Sequence, residues 1–180
     1  MRTDGVRSLG SRVVAGTVLA GIVIATSGGA RAAVIKPKPV VGQLVLAGGG
    51  SSPITAYSWS VTADSSWTKG GGASVGKPNP GAIRFTKQID TNSVPTFRKI
   101  AAGEPYSSAV FTVTFGKGNS AATMVYELTD LFVTNVTQGA EDGLVTEEIS
   151  FVFKSVRWTF TDSSGNVTTG LWDIPGGSVT

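Results

Sequence analysis

Residues 126–133 (YELTDLFV) and 149–160 (ISFVFKSVRWTF) decide the fold, because each alternates like a strand and then changes step. In the first, Met124, Tyr126 and Leu128 hold one phase, while Leu131 and Val133 hold the other. In the second, Ile149, Phe151 and Phe153 give way to Val156, Trp158 and Phe160. Period-two alternation marks a strand with one buried face. A phase slip inside such a run is what a β-bulge produces, and bulges bend sheets closed. Two long bulged strands therefore predict a small curled β-barrel or strongly curled sandwich.

Working outward, residues 40–47 (VVGQLVLA) and 54–62 (ITAYSWSVT) read as strands separated by a Gly/Ser/Pro cluster. Residues 82–90 (AIRFTKQID) are expected to turn Ile83, Phe85 and Ile89 one way and Arg84 and Thr86 the other. Phe111, Val113 and Phe115 share a phase in a further strand, and 117–119 (KGN) reads as a hairpin turn. Residues 162–166 (DSSGN) form another turn, and 167–180 a last strand or tail bearing Trp172.

One helix is expected, over about 94–102. Ser93 is placed as its N-cap, Pro95 in the first turn and Gly103 at C′. Val94, Phe97 and Ile100 or Ala101 make its apolar stripe, and Arg98 and Lys99 suit the negative end of the dipole. Residues 64–81 (DSSWTKGGGASVGKPNPG) are the longest irregular stretch, and a loop of that length in a compact domain tends to be functional or disordered.

The chain opens as an export signal. Arg2, Arg7 and Arg12 precede an apolar run at 13–25 (VVAGTVLAGIVIA), and Ala30-Arg31-Ala32 offers small residues for cleavage. The run is shorter than the roughly 18–20 apolar residues a membrane span needs. The division expected is a signal peptide at 1–32, an extended leader at 33–39 (AVIKPKP) and one β-barrel domain at 40–180, secreted and free of the membrane after cleavage. Four of the fifteen basic residues and one of the twelve acidic ones lie in the signal, leaving eleven of each. A neutral domain lacks the positive surplus that nucleic acid or an anionic membrane selects.

The sequence contains no histidine and no cysteine. Ser-His-Asp and Cys-His nucleophiles, histidine zinc sites, haem and iron–sulfur ligation fall together. Acid–base work would fall to carboxylates, lysine or tyrosine. The densest acidic group, Glu141-Asp142 with Glu147-Glu148, is read as a solvated hairpin around Gly143, since neighbours on a strand point to opposite faces. Residues 71–77 (GGASVGK) match the start of a phosphate loop, but Pro78 stands where a hydroxyl residue should hold magnesium. No catalytic, metal-binding or cofactor-binding residue is therefore assigned. Trp59 and Trp158 read as core, whereas Trp67 and Trp172 sit in loop-like contexts that could stack a sugar or dock on a neighbour.

Taken in order, residues 54–161 resemble the Hcp (haemolysin-coregulated protein) family, the tube protein of bacterial type VI secretion. The resemblance rests on ITAYSWS at 54–60, the strand and helix of 83–103, and YELTDLFV with ISFVFKSVRWTF. It implies a small β-barrel with one flanking helix, hexameric rings that stack as a tube, and no catalytic residues. It also implies that the loop after the second strand, here 64–81, touches the neighbouring ring, which makes Trp67, Lys69, Lys77 and Asn79 the expected subunit-contact residues. The signal segment is a departure, since the family's tube proteins assemble in the cytoplasm. The alternative reading is a monomeric extracellular module using Trp67 or Trp172 on a cell-surface glycan or protein.

Overall fold

The computed structural model describes residues 38–68, 72–141 and 143–180; the expected signal peptide at 1–32 and most of the leader lie outside them. Strands dominate, with one α-helix. In chain order they are β1 (Gly42–Leu46), β2 (Ser51–Ser58), β3 (Val61–Thr62), β4 (Ser65–Thr68), β5 (Gly72–Val75), β6 (Asn79–Pro80) and β7 (Ile83–Gln88). Helix α1 (Ser93–Ala102) follows, then β8 (Tyr106–Phe115), β9 (Ala122–Glu141), β10 (Leu144–Val152), β11 (Ser155–Thr161), β12 (Val167–Asp173) and β13 (Ser178–Val179).

The main sheet runs β10-β7-β2-β1-β8-β9-β11-β12-β13, and β10 also pairs with β9. Hydrogen bonding thus returns on itself through six antiparallel strands, giving the curled sheet expected from the phase slips. The bending positions are visible. Asp130 takes a left-handed φ of 49° between Leu128 and Leu131, both buried. The β9–β10 register jumps between Ser150 and Phe151, and the β2–β7 register jumps between Ile54 and Ala56. That last bulge explains why Ser52 and Ile54 point inward while Tyr57 and Trp59, in the opposite phase, also pack against the core.

The core is apolar and continuous: Leu44, Ile54, Ile83, Phe85, Phe111, Leu128, Leu131, Ile149, Phe151 and Val156 are all fully buried. Phe85 packs edge-on to Phe111 at 4.7 Å. Gly42 lets this happen, since a Cβ there would lie 2.5 Å from the Thr112 carbonyl oxygen and 2.7 Å from the Phe111 ring.

Several expectations need correction. The described residues of 64–81 are not an irregular loop: β4 pairs with β5, and β3 with β6. Their described side chains are almost all exposed, so no inside–outside alternation marks them as strands. Phe115 and Ile89 lie beyond the covered part of their strands and are exposed. Trp172 belongs to the core, 6% exposed, within 6.5 Å of the Trp59 ring. The tail folds back as β13 on β12.

The helix is where expected but turned the other way. Asn92, not Ser93, is the N-cap residue, and Gly103 closes the C-terminus at φ 68° with its N–H on Ile100 O. The fully buried helix residues are Ser93 and Thr96. Val94 is 67% exposed and Phe97 40%, so most of the predicted apolar stripe faces outward. Only Ile100 of that stripe packs against the core.

Candidate functional site: projecting hairpin, polar clamp and outward helix face

Of the expected contact residues, Trp67 and Asn79 fall on the two small ladders between β2 and β7. At the base of this hairpin Gly81 N–H bonds Ser60 O, and further along Gly76 N–H bonds Asp64 O. Trp59 braces the base by donating its indole N–H to Gly81 O at 3.0 Å. Trp67 sits on β4 opposite Ala73, beside a 2.7 Å hydroxyl pair between Ser66 and Ser74. Asn79 pairs with Thr62, and Lys77 is exposed between β5 and β6. Lys69 lies outside the described residues. The hairpin is thus a regular structure that contributes nothing to the core among its described residues.

The first turn of the helix is held by charge and hydrogen bonds, and Ile100 adds apolar packing near its other end. Lys87 on β7 and Glu147 on β10 point inward, with Nζ 3.1 Å from Oε1 and both side chains buried. The Lys87 ammonium also donates to Asp90 Oδ1 at 2.7 Å and to Ser93 Oγ at 3.0 Å. Ser93 Oγ in turn donates to Glu147 Oε1 at 3.1 Å, and Gln138 from β9 donates to Glu147 Oε2 at 2.7 Å. Asn92 ties the helix start to the β1–β2 turn, donating to Gly50 O and Ser52 Oγ. Thr96 shares a 3.2 Å hydrogen bond with the Tyr106 hydroxyl. Because Ser93, Asn92 and Thr96 must face this network, the apolar residues between them turn to solvent.

Burial alone would push the Asp90 carboxyl up, but Lys87, the Ser52 hydroxyl and the Asn92 N–H together hold it below the usual range. At the other end of the core, burial and the Tyr57 hydroxyl push Tyr126 up to about 12.

Reading the acidic group as a solvated hairpin is therefore wrong for Glu147, which is wholly buried and ion-paired. A sequence signal for it existed. Lys87 shares the inward phase of Ile83 and Phe85, and Glu147 that of Ile149 and Phe151, so two opposite charges sit at core positions of adjacent strands. Neighbouring Glu148 does point away, as strand geometry requires. Glu147 is committed to Lys87, Ser93 and Gln138, so it is no free acid or base. Among the described residues no group of three acidic side chains could hold a metal ion, and no described helix is long and apolar enough to cross a membrane.

Residues 48–160 match the family model described as "Type VI secretion system effector, Hcp". No curated protein matches the sequence. Among solved structures, Hcp1 from Salmonella typhimurium aligns with a TM-score of 0.62 at 18% identity, covering 79% of this chain and 100% of that one. A structure titled a type six secretion system protein gives 0.66 at 18% identity over 79% and 100%. A type VI secretion system effector from Yersinia pestis gives 0.59 at 14% identity over 74% and 99%. At these identities the structural likeness speaks for the fold; the family model covers well over half of the sequence.

Proposed function

The chain belongs to the Hcp family of type VI secretion, and on that premise we propose that it is an exported, non-enzymatic structural protein that assembles with copies of itself into rings, six-membered as in the family. The observation that carries self-association, as a contact from one ring to the next, is the hairpin of β3 to β6, which is built of paired strands yet buries none of its described side chains in the chain's own core. Ordering such an arm costs conformational entropy that the monomer does not recover by burial. Contact with another subunit would supply the missing burial, and Trp67, Lys69, Lys77 and Asn79 are the residues proposed to make it. Aromatic side chains are enriched in interface cores, which gives Trp67 a place there.

The chemistry of the described interior supports a structural role. In its buried ion-paired cluster both Glu147 oxygens are engaged, by Lys87 and Ser93 on one side and Gln138 on the other, and only Asp90 Oδ2 lacks a partner among the described buried side chains. Export is proposed from the signal segment at 1–32, with cleavage before Ala33. Assembly would then take place outside the cytoplasm.

The test uses mature protein beginning at Ala33 and a variant in which residues 63–78 are replaced by a two-residue turn. Light scattering across a concentration series is expected to show ring-sized particles for both, with end-to-end stacks only when the hairpin is intact. A mature protein that stays monomeric throughout overturns the reading.

A further inference from the structure

Two surfaces on different parts of the chain carry matching patterns of apolar and charged side chains. The first is the outer face of α1. Val94, Phe97, Arg98 and Ala101 stand at positions i, i+3, i+4 and i+7, share one side of the helix and are all exposed. This is the helix's apolar side, with one cation at its centre.

The second lies on the outer face of the main sheet. Val110 of β8 pairs with Glu127 of β9, Glu127 with Arg157 of β11, and Arg157 with Leu171 of β12. These four form one row across four strands and line a shallow hollow of about 540 Å³. The row is apolar at both ends and charged in the middle. Glu127 and Arg157 are half-exposed and 3.7 Å apart, beyond a hydrogen bond, so the carboxylate retains capacity to accept from a second guanidinium.

We propose that α1 of one copy seats in this hollow on the next copy, with Phe97 packed toward the apolar ends of the row and Arg98 on Glu127. The complementarity is of both kinds: an apolar ridge meets an apolar-ended trough, and the central cation meets the central carboxylate. The two surfaces belong to different parts of one chain, so the contact is heterologous. It propagates head to tail and closes into a ring when the rotation allows. It uses the helix face that the Lys87–Glu147 clamp turns outward, which gives the inverted amphipathicity of α1 a purpose. This inference rests on the reading that the protein self-associates, and names the surfaces that do it.

A charge-swap series on the full mature chain tests it by light scattering and sedimentation. Arg98→Glu and Glu127→Arg are each expected to raise the concentration needed for half-assembly about tenfold or more, and the double variant is expected to recover most of the loss. Phe97→Ser and Val110→Ser, lesions on either side that leave the charges of the row unchanged, should cause losses of similar size. Circular dichroism should show every variant folded, since all four positions are exposed. Wild-type rings that persist in all single variants overturn this inference and leave the ring reading standing. Losses in the single variants without recovery in the double overturn the Arg98–Glu127 pairing. A wild-type chain that never assembles overturns both.

Discussion

Lys87 Nζ lies 3.1 Å from Glu147 Oε1, across the β7–β10 ladder, with neither side chain reachable by solvent. Two charges inside an otherwise apolar core are costly to desolvate, and they persist because each is paired with the other and hydrogen-bonded by its neighbours, Ser93 reaching both. Lys87 reaches Asp90 and Ser93, while Glu147 receives Ser93 and Gln138. The pair therefore fastens the helix start, β7, β9 and β10 at a single point.

Breaking that point from one side should be severe. Lys87→Met or Glu147→Leu alone leaves an uncompensated buried charge and is expected to cost about 3–5 kcal/mol. The double variant should cost clearly less than the two single losses together, because it removes both charges. Urea unfolding of the three variants measures the coupling; additive losses would show that the two groups act independently.

Acid should loosen the helix. The Asp90 carboxyl is held below its ordinary value in the fold, so its contribution is present above the unfolded pKa of about 4 and is lost as pH falls through the folded value. Thermal unfolding between pH 7 and pH 2 is expected to show a steeper acid loss for the wild type than for Asp90→Asn. Identical slopes would remove Asp90 from the clamp.

The bend in β9 is fixed by backbone conformation. Asp130 is the one described non-glycine residue at positive φ, and its partner Lys154 is 3.8 Å away on the exposed surface. A weak exposed pair contributes little, so the backbone should decide the outcome. Asp130→Val is expected to be about 1–2 kcal/mol less stable than Asp130→Gly, because a β-branched residue resists the left-handed region. Equal denaturation midpoints would show that the bend is set elsewhere.

Close packing at the crossing of β1 and β8 allows no side chain at position 42. Gly42→Ala must displace the Thr112 carbonyl and the Phe111 ring, and roughly 1–3 kcal/mol of stability is expected to be lost. Chemical denaturation reads this directly, and an unchanged midpoint would mean the two strands separate more easily than their packing implies.

The curled sheet was legible because its evidence is local: two strands that change step must bend, and Asp130 and the break after Val152 lie where the alternation fails. The place of α1 was legible from Pro95 and Gly103. Its orientation was not, because Val94, Phe97 and Ala101 mark an apolar face without saying whether the core or another molecule will cover it. The answer lay in Lys87 and Glu147, one on each of two strands far apart in sequence, whose meaning emerges only when those strands pair. The strands of the 64–81 hairpin were hidden for a related reason: their described side chains are exposed with no inward partners, so they carry no alternation to read.

The most direct measurement of the central claim is negative-stain microscopy of the mature protein from Ala33 onward. Annuli of uniform diameter, joined into short stacks that disappear when residues 63–78 are shortened, are the predicted result. Fields of isolated particles the size of one chain, at every concentration tried, would contradict it.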